Sequence, residues 1–201
     1  MKPRQSRARP MAAADRRRAI LAAAVPLLIR KGAAATTAEI AAAAGIAEGT
    51  IFRAFPDKSA LVFEAVRTTL DPAQLCAALR AIDLSRAREA RLAEAAQLLH
   101  DYFNRVTAIG ESLRSTSKPA GTQQGDIGRL IRQSSAAITT ALTELFEHYR
   151  GALRVSPSTA VAAFRGLVFA SAHPLLPPRE RLATEEVVSI LMTGIARSRS
   201  E

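Results

Sequence analysis

Apolar residues along this chain recur every three or four positions and almost nowhere every second position, which is the rhythm of helices packed on one face. The clearest case opens at Ser85, with apolar side chains at 92, 95/96, 99, 103, 106 and 113. A second long helix is expected from Asp126, through Leu130, Ile131, Ile138, Leu142, Leu145 and Phe146. Punctuation between the periodic segments marks the other helices. Asp15 can cap RRRAILAAAVPLLIRK, which Gly32 ends, and Thr36 or Thr37 can cap an alanine-rich helix. Asp57 precedes a helix with Leu61, Val62, Ala65 and Val66 on one face. Asp71-Pro72-Ala73-Gln74 combines an N-cap, a proline at the first helical position and a glutamine two residues further on. Ser156-Pro157 starts a helix to about Ala172, and Thr184-Glu185-Glu186 starts the last. Thr116–Gly125 reads as the one clear loop. Pro26 falls inside the first helix, where it removes an amide donor and predicts a kink. With no Asn-Gly or Asp-Gly hairpin turn, the expected fold class is all-α, with about nine helices.

Residues 38–55, AEIAAAAGIAEGTIFRAF, place two short helical pieces back to back. Helices that cross steeply must approach closely, and Ala41 and Ala44 supply small side chains at the contact while Ile40 anchors the pair. The turn needs a positive φ, which Gly45 adopts without strain. Ile46 and Ile51 then point inward, and Gly49 keeps the second helix slim. This is a helix-turn-helix pattern, whose second helix enters a major groove of DNA. An αα-corner that never meets DNA has the same local pattern.

Charge favours the first of these readings. The formal net charge is +10, and residues 1–67 hold 12 Lys and Arg against 5 Asp and Glu. The remaining residues hold 16 against 13, so the excess lies in the third of the chain that carries the helix-turn-helix. A concentrated basic excess suits a polyanion. A hydrophobic fraction of 48% argues against disorder. No apolar run is long enough for a membrane span, no apolar segment follows the basic first residues, and Cys76 is the only cysteine. A cytoplasmic protein is therefore expected.

Enzyme signatures are absent. His100, His148 and His173 are isolated, with no metal-ligand spacing, so no metal and no cofactor are expected. Ser115-Thr116-Ser117-Lys118 spells S-x-x-K without the companion motifs of acyl-transfer enzymes, and falls in the expected loop rather than at a helix start.

Residues 16–66 resemble the TetR family of bacterial transcriptional regulators. The resemblance rests on RRRAILAAAVPLLIRKG followed by TTAEIAAAAGIAEGTIFRAFPDKSALVFEAV, with Thr-Thr, Ile-Ala, Ala-Gly, Gly-Thr, a Phe, a Lys and a Leu at matching spacings. It covers about a quarter of the chain. It implies a flexible basic arm over 1–14, a three-helix helix-turn-helix domain over 15–56, and a larger helical ligand-binding and dimerisation domain over 57–201. It also implies a homodimer on a near-palindromic operator in double-stranded DNA, released by a small-molecule effector. Carried over position by position, Thr37 would meet a phosphate, Ala47, Glu48, Gly49, Thr50, Phe52 and Arg53 would form the groove-facing surface, and Lys58 would clamp a phosphate. Phe52 stands where the family usually has tyrosine, Ala47 where a capping serine is common, and Ala54 where a larger side chain is usual. Arg7, Arg9 and Arg17, in and next to the arm, are expected to supplement these contacts.

In the larger domain the expected dimer interface is Phe164, Leu167, Val168 and Ser171 on one helix, with Val188, Leu191, Met192 and Ile195 on the next. The expected ligand contacts are Phe63, Leu99, His100, Tyr102, Phe103, Val106, Leu130 and Gln133, around a largely apolar molecule. Two other readings share this pattern. One is a helical protein-interaction module without DNA binding. The other is a regulator of the same fold that activates or has no effector.

Overall fold

The computed structural model describes residues 12–115, 121–173 and 176–195. Among these residues there are nine α-helices, three short 3-10 turns and no extended strand: α1 (Ala13–Lys31), α2 (Thr37–Ala43), α3 (Glu48–Ala54), α4 (Lys58–Leu70), α5 (Ala73–Arg80), α6 (Arg88–Ser115), α7 (Gly121–Glu147), α8 (Pro157–Ala172) and α9 (Thr184–Ile195).

Side-chain caps fix several boundaries. Thr36 and Glu39 form a reciprocal capping box: the Thr36 hydroxyl accepts from the Glu39 amide at 3.1 Å, and Glu39 Oε2 accepts from the Thr36 amide at 3.0 Å. Asp57 caps α4 through the Ala60 amide (2.7 Å), and Ser156 caps α8 through Thr159 (3.1 Å). Gly32 ends α1 at φ 58°.

Four boundaries depart from expectation. Asp15 lies inside the first turn of α1 and pairs with Arg18, while Ala12 takes the cap position. Asp71 accepts from the Ala73 amide (3.0 Å), so Pro72 is itself the cap residue of α5. Ser85 does not open α6; its amide donates to Asp83 (2.9 Å) in a local turn, and α6 begins at Arg88. α7 starts at Gly121, inside the expected loop Thr116–Gly125, of which residues 116–120 lie outside the described residues. α1 runs on through Pro26.

Apolar packing forms two clusters. The first joins Ile20, Ala24 and Leu28 of α1, Ile40 of α2, Ile51 of α3, and Leu61, Val62 and Ala65 of α4, with Phe55 between α3 and α4. Ile109, from the C-terminal half of α6, is fully buried in this cluster. The second joins Leu92 and Leu99 of α6, Ile138, Leu142 and Phe146 of α7, Phe164 and Val168 of α8, and Val188 and Leu191 of α9. Each fully buried aliphatic or aromatic side chain contributes about 1.5–3 kcal/mol of transfer free energy. Val106 touches both clusters, so α6 is the beam that joins the two halves.

The expected dimer stripe is corrected by this packing. Phe164, Val168, Ser171, Val188 and Leu191 are all buried within the chain itself. Phe164 lies 5.5 Å, ring to ring, from Phe146, and the Ser171 hydroxyl donates to the Val168 carbonyl at 2.8 Å. Leu167 and Met192 are partly buried against the same core. The Ile195 side chain lies outside the description. A 3.6-residue apolar period marks a face that must be covered, and here the protomer's own core covers most of it.

Candidate nucleic-acid interface and ligand cavity

Gly45 has φ 67°, the left-handed conformation its place in the α2–α3 turn requires. The turn closes with the Gly45 amide on the Ala42 carbonyl (3.1 Å) and the Ile46 amide on Ala41 (3.0 Å). Ile40, Ala41 and Ile51 are buried beneath it, and Ile46 packs on their rim. α3 therefore lies on the surface with Glu48, Gly49, Phe52 and Arg53 exposed and Thr50 partly so. A β-carbon at Gly49 would meet nothing within 4 Å, so this glycine answers to no packing constraint inside the chain. Phe52 is 50% exposed, an unusual position for a large apolar ring without an external partner. Ala47 holds the cap position of α3 with no side-chain hydrogen bond.

Four of the expected DNA contacts, Thr37, Glu48, Lys58 and Arg17, are engaged internally. The Thr37 hydroxyl donates to Glu48 Oε1 at 2.5 Å, tying the start of α2 to the start of α3. Lys58 Nζ donates to the Ala33 carbonyl at 2.8 Å, fastening α4 to the turn before α2. Arg17 donates to the Ala54 carbonyl and stacks over the Phe55 ring, 4.3 Å from its centroid, bracing α1 against the end of α3. Lys31 holds Glu39 at 2.6 Å, and with the Thr36 amide lowers the Glu39 carboxyl from 4.5 to about 2. Arg7 and Arg9 lie outside the described residues.

A cavity of about 540 Å³ lies where α4 ends against α6, α7 and α8. Of the residues expected to contact a ligand, Tyr102, Phe103 and Val106 line it, together with Ile131, Ile138 and Phe169. Phe103 and Phe169 meet edge to face at 5.3 Å. Both the Tyr102 hydroxyl (3.0 Å) and the Ser134 hydroxyl (2.5 Å) donate to the Leu70 carbonyl at the C-terminus of α4. Burial pushes the Tyr102 phenol up, partly offset by Ser134. Burial also lowers the Arg165 guanidinium, which binds the Ser135 carbonyl and hydroxyl and the Thr139 hydroxyl from across the helix interface.

The other expected ligand contacts fall elsewhere. Leu99 is fully buried in the second core cluster. Leu130 packs against the first cluster, and Phe63 is partly buried on α4 away from the cavity lining. Gln133 is exposed, and His100 is hydrogen-bonded to Asn104 (3.1 Å) one turn along α6. The apolar positions of α6 and α7 share one period, and periodicity alone does not say which of them line a void. Arg165 was legible in principle: it is the single charge within the apolar run AVAAFRGLVFASA. Among the described residues no group of His, Cys, Asp and Glu is arranged to hold a metal ion, and no helix is long and apolar enough to cross a membrane.

Residues 20–65 match the family model of bacterial regulatory proteins, tetR family. No curated protein matches the chain. Among solved structures, a TetR transcriptional regulator from Streptomyces coelicolor is 26% identical with a TM-score of 0.57, covering 90% of this chain and 99% of its own. A transcriptional regulator from Rhodococcus sp. Rha1 is 18% identical with a TM-score of 0.60, covering 89% and 97%. AibR, in complex with isovaleryl coenzyme A and operator DNA, is 21% identical with a TM-score of 0.53, covering 89% and 97%.

Proposed function

We propose, from the match of residues 20–65 to the tetR family model and the fold shared with a TetR transcriptional regulator, that the protein is a cytoplasmic, homodimeric repressor of the TetR family released from its operator by a small, largely apolar ligand. The family is one of DNA-binding transcription factors rather than enzymes. The observation that carries the reading is α3: a short helix held out by buried Ile40 and Ile51, with an unconstrained Gly49 and with Phe52 and Arg53 turned to solvent. A helix of this width fits the major groove, where Arg53 reads guanine or holds phosphate and Thr50 and Glu48 meet base edges. Thr37, Lys58 and Arg17 act chiefly by fixing the pose of α3. Thr37 and Lys58 reach phosphates by exchanging their present partners, Glu48 and the Ala33 carbonyl. The segment 1–14, with Arg7 and Arg9, adds backbone contacts.

Release follows from α4. Its N-terminus is tied through Lys58 to the turn before α2, and its last carbonyl, Leu70, receives the Tyr102 and Ser134 hydroxyls that line the cavity. A ligand that draws either hydroxyl away from Leu70 shifts α4, and with it the spacing of the two copies' α3 helices. AibR, of the same fold, is crystallised with both an acyl thioester and operator DNA, which supports one chain combining the two sites. Dimerisation falls to the outward side of α8 and α9. There Leu167 stands beside the small residues Ala163, Gly166 and Ala170, with the 44% exposed Ile190 on α9. Small residues permit close helix approach.

Selection of bound fragments from random duplex DNA tests the reading directly. A near-palindromic consensus with half-sites about one helical turn apart is expected. Recovery of no sequence preference at low salt would leave the chain a protein-interaction module.

A further inference from the structure

Arg165 is a half-buried cation with no carboxylate partner among the described residues. Its Nη1 donates to the Ser135 carbonyl and to the Thr139 hydroxyl, and its Nη2 to the Ser135 hydroxyl at 2.9 Å. Those bonds take the end of the guanidinium that faces α7. Nη2 keeps one hydrogen beyond its bond to Ser135, and Nε is buried without any hydrogen-bond partner. An orphaned donor on a desolvated charge is costly and rare in native structures. The same side chain lines the 540 Å³ cavity beside Phe103, Val106 and Ile138 and the half-exposed Ile131 and Phe169, with the Tyr102, Ser134 and Ser135 hydroxyl-bearing side chains also in the lining. A guanidinium that lines an apolar cavity and lacks a carboxylate of its own can hold a ligand's carboxylate by charge-assisted hydrogen bonds.

We propose that the effector is an organic carboxylic acid, its carboxylate held by Arg165 with the Ser135 hydroxyl beside it and its apolar body lodged between Phe103, Val106, Ile131 and Phe169. The proposal rests on reading this cavity as the effector site and adds the head-group chemistry. A carboxylate fits better than a phosphate monoester, because a dianion against these apolar walls would meet only one cation. The apolar walls exclude acids whose body is itself polar. The cavity volume lies within the ordinary range for small-ligand sites, roughly 300–1,000 Å³.

The test titrates the full chain with butanoate, hexanoate, octanoate and phenylacetate, each beside the alcohol of the same carbon skeleton, by calorimetry and by displacement from the selected operator. At least one acid should bind about 10- to 100-fold more tightly than its alcohol, the range expected for a charge-assisted pair. Arg165→Gln should erase that preference while leaving the alcohol's affinity unchanged, and Arg165→Lys, which keeps the charge without the fork, should restore only part of it. Alcohols binding as well as acids would overturn the carboxylate and leave ligand control standing. Failure of every compound to bind the wild-type chain would overturn the proposal outright. Acids that bind with the expected preference yet leave the operator occupied would uphold the site and overturn release. Should Arg165→Gln not fold, the acid-to-alcohol ratio in the wild-type chain decides alone.

Discussion

Around α3, Thr37 gives its hydroxyl to Glu48, Lys58 its ammonium to the Ala33 carbonyl and Arg17 its guanidinium to Ala54. In the cavity, Arg165 has three bonds to α7 and an Nε with none. The first region is braced by Thr37, Lys58 and Arg17, whose polar groups are bonded before any partner arrives. The second holds a desolvated donor that a partner would complete. A surface that must read a repeating polymer gains from preorganisation, because ordering it on contact would cost affinity. A cavity that must change state when filled needs a group that differs between empty and occupied forms. Tyr102 and Ser134 stand between the two regimes, satisfied now by Leu70 but on the cavity wall.

The largest test of this contrast concerns what lies behind each region. Phe164→Ala removes a fully buried ring from the second core and should cost about 3–5 kcal/mol of folding stability. Because Phe164 packs on Phe146 of its own chain, that loss should be the same at every protein concentration. A loss that shrinks as concentration rises would return Phe164 to the dimer interface. Next in size is the α3 surface. Thr50→Ala should weaken the selected operator by roughly 1 kcal/mol or more while barely altering binding to random DNA. Lys58→Ala should weaken both alike, measured by fluorescence anisotropy, since it loosens the pose of the whole unit. The opposite pattern would exchange the roles of recognition and bracing.

The helix-turn-helix was readable because its constraints are local. A positive φ at Gly45, small side chains at Ala41 and a buried Ile51 are each dictated within a dozen residues, and each is where the pattern put it. What could not be read is which polar side chains in that unit bond to one another: the Thr37–Glu48 and Lys58–Ala33 contacts depend on how α2, α3 and α4 are docked. The chain beyond α4 was legible as helices and as apolar faces. The use of each face was not, because Phe164 and Leu99 obey the same period whether they cover a core, a cavity or a second copy. Arg165 was visible as an anomaly in an apolar run, and only the tertiary structure turns that anomaly into a site.

Two glycines sharpen the comparison between what folding demands and what DNA demands. Gly45→Ala forces a left-handed backbone on a residue with a β-carbon and should cost about 1–2 kcal/mol. Gly49→Ala places a methyl in open space within a helix and should stabilise the chain by about 0.5–1 kcal/mol. Its operator affinity should nevertheless fall, because the new methyl stands on the exposed face where the duplex must approach. Thermal melting and operator binding measured together separate the two effects. A Gly49→Ala chain that is more stable and binds DNA unchanged would remove Gly49 from the interface.

The smallest expected effect is electrostatic, and it belongs to the preorganised side alone. Lys31 and the Thr36 amide hold the Glu39 carboxyl at about 2, below its ordinary 4.5. A depressed folded value means that the ionised carboxylate favours the folded state. Its contribution is complete above the unfolded value and is lost as pH falls from about 4.5 toward 2. Glu39 is exposed, so solvent screens the pair and the effect is modest. Melting temperatures at about pH 6 and about pH 3 should therefore differ less for Glu39→Gln than for the wild-type chain. Because Glu39 closes the capping box of α2, the same substitution at neutral pH should lower stability slightly without changing which DNA sequence is selected. An altered consensus would mean that the cap of α2 steers α3, and that bracing and reading are not separable in this unit.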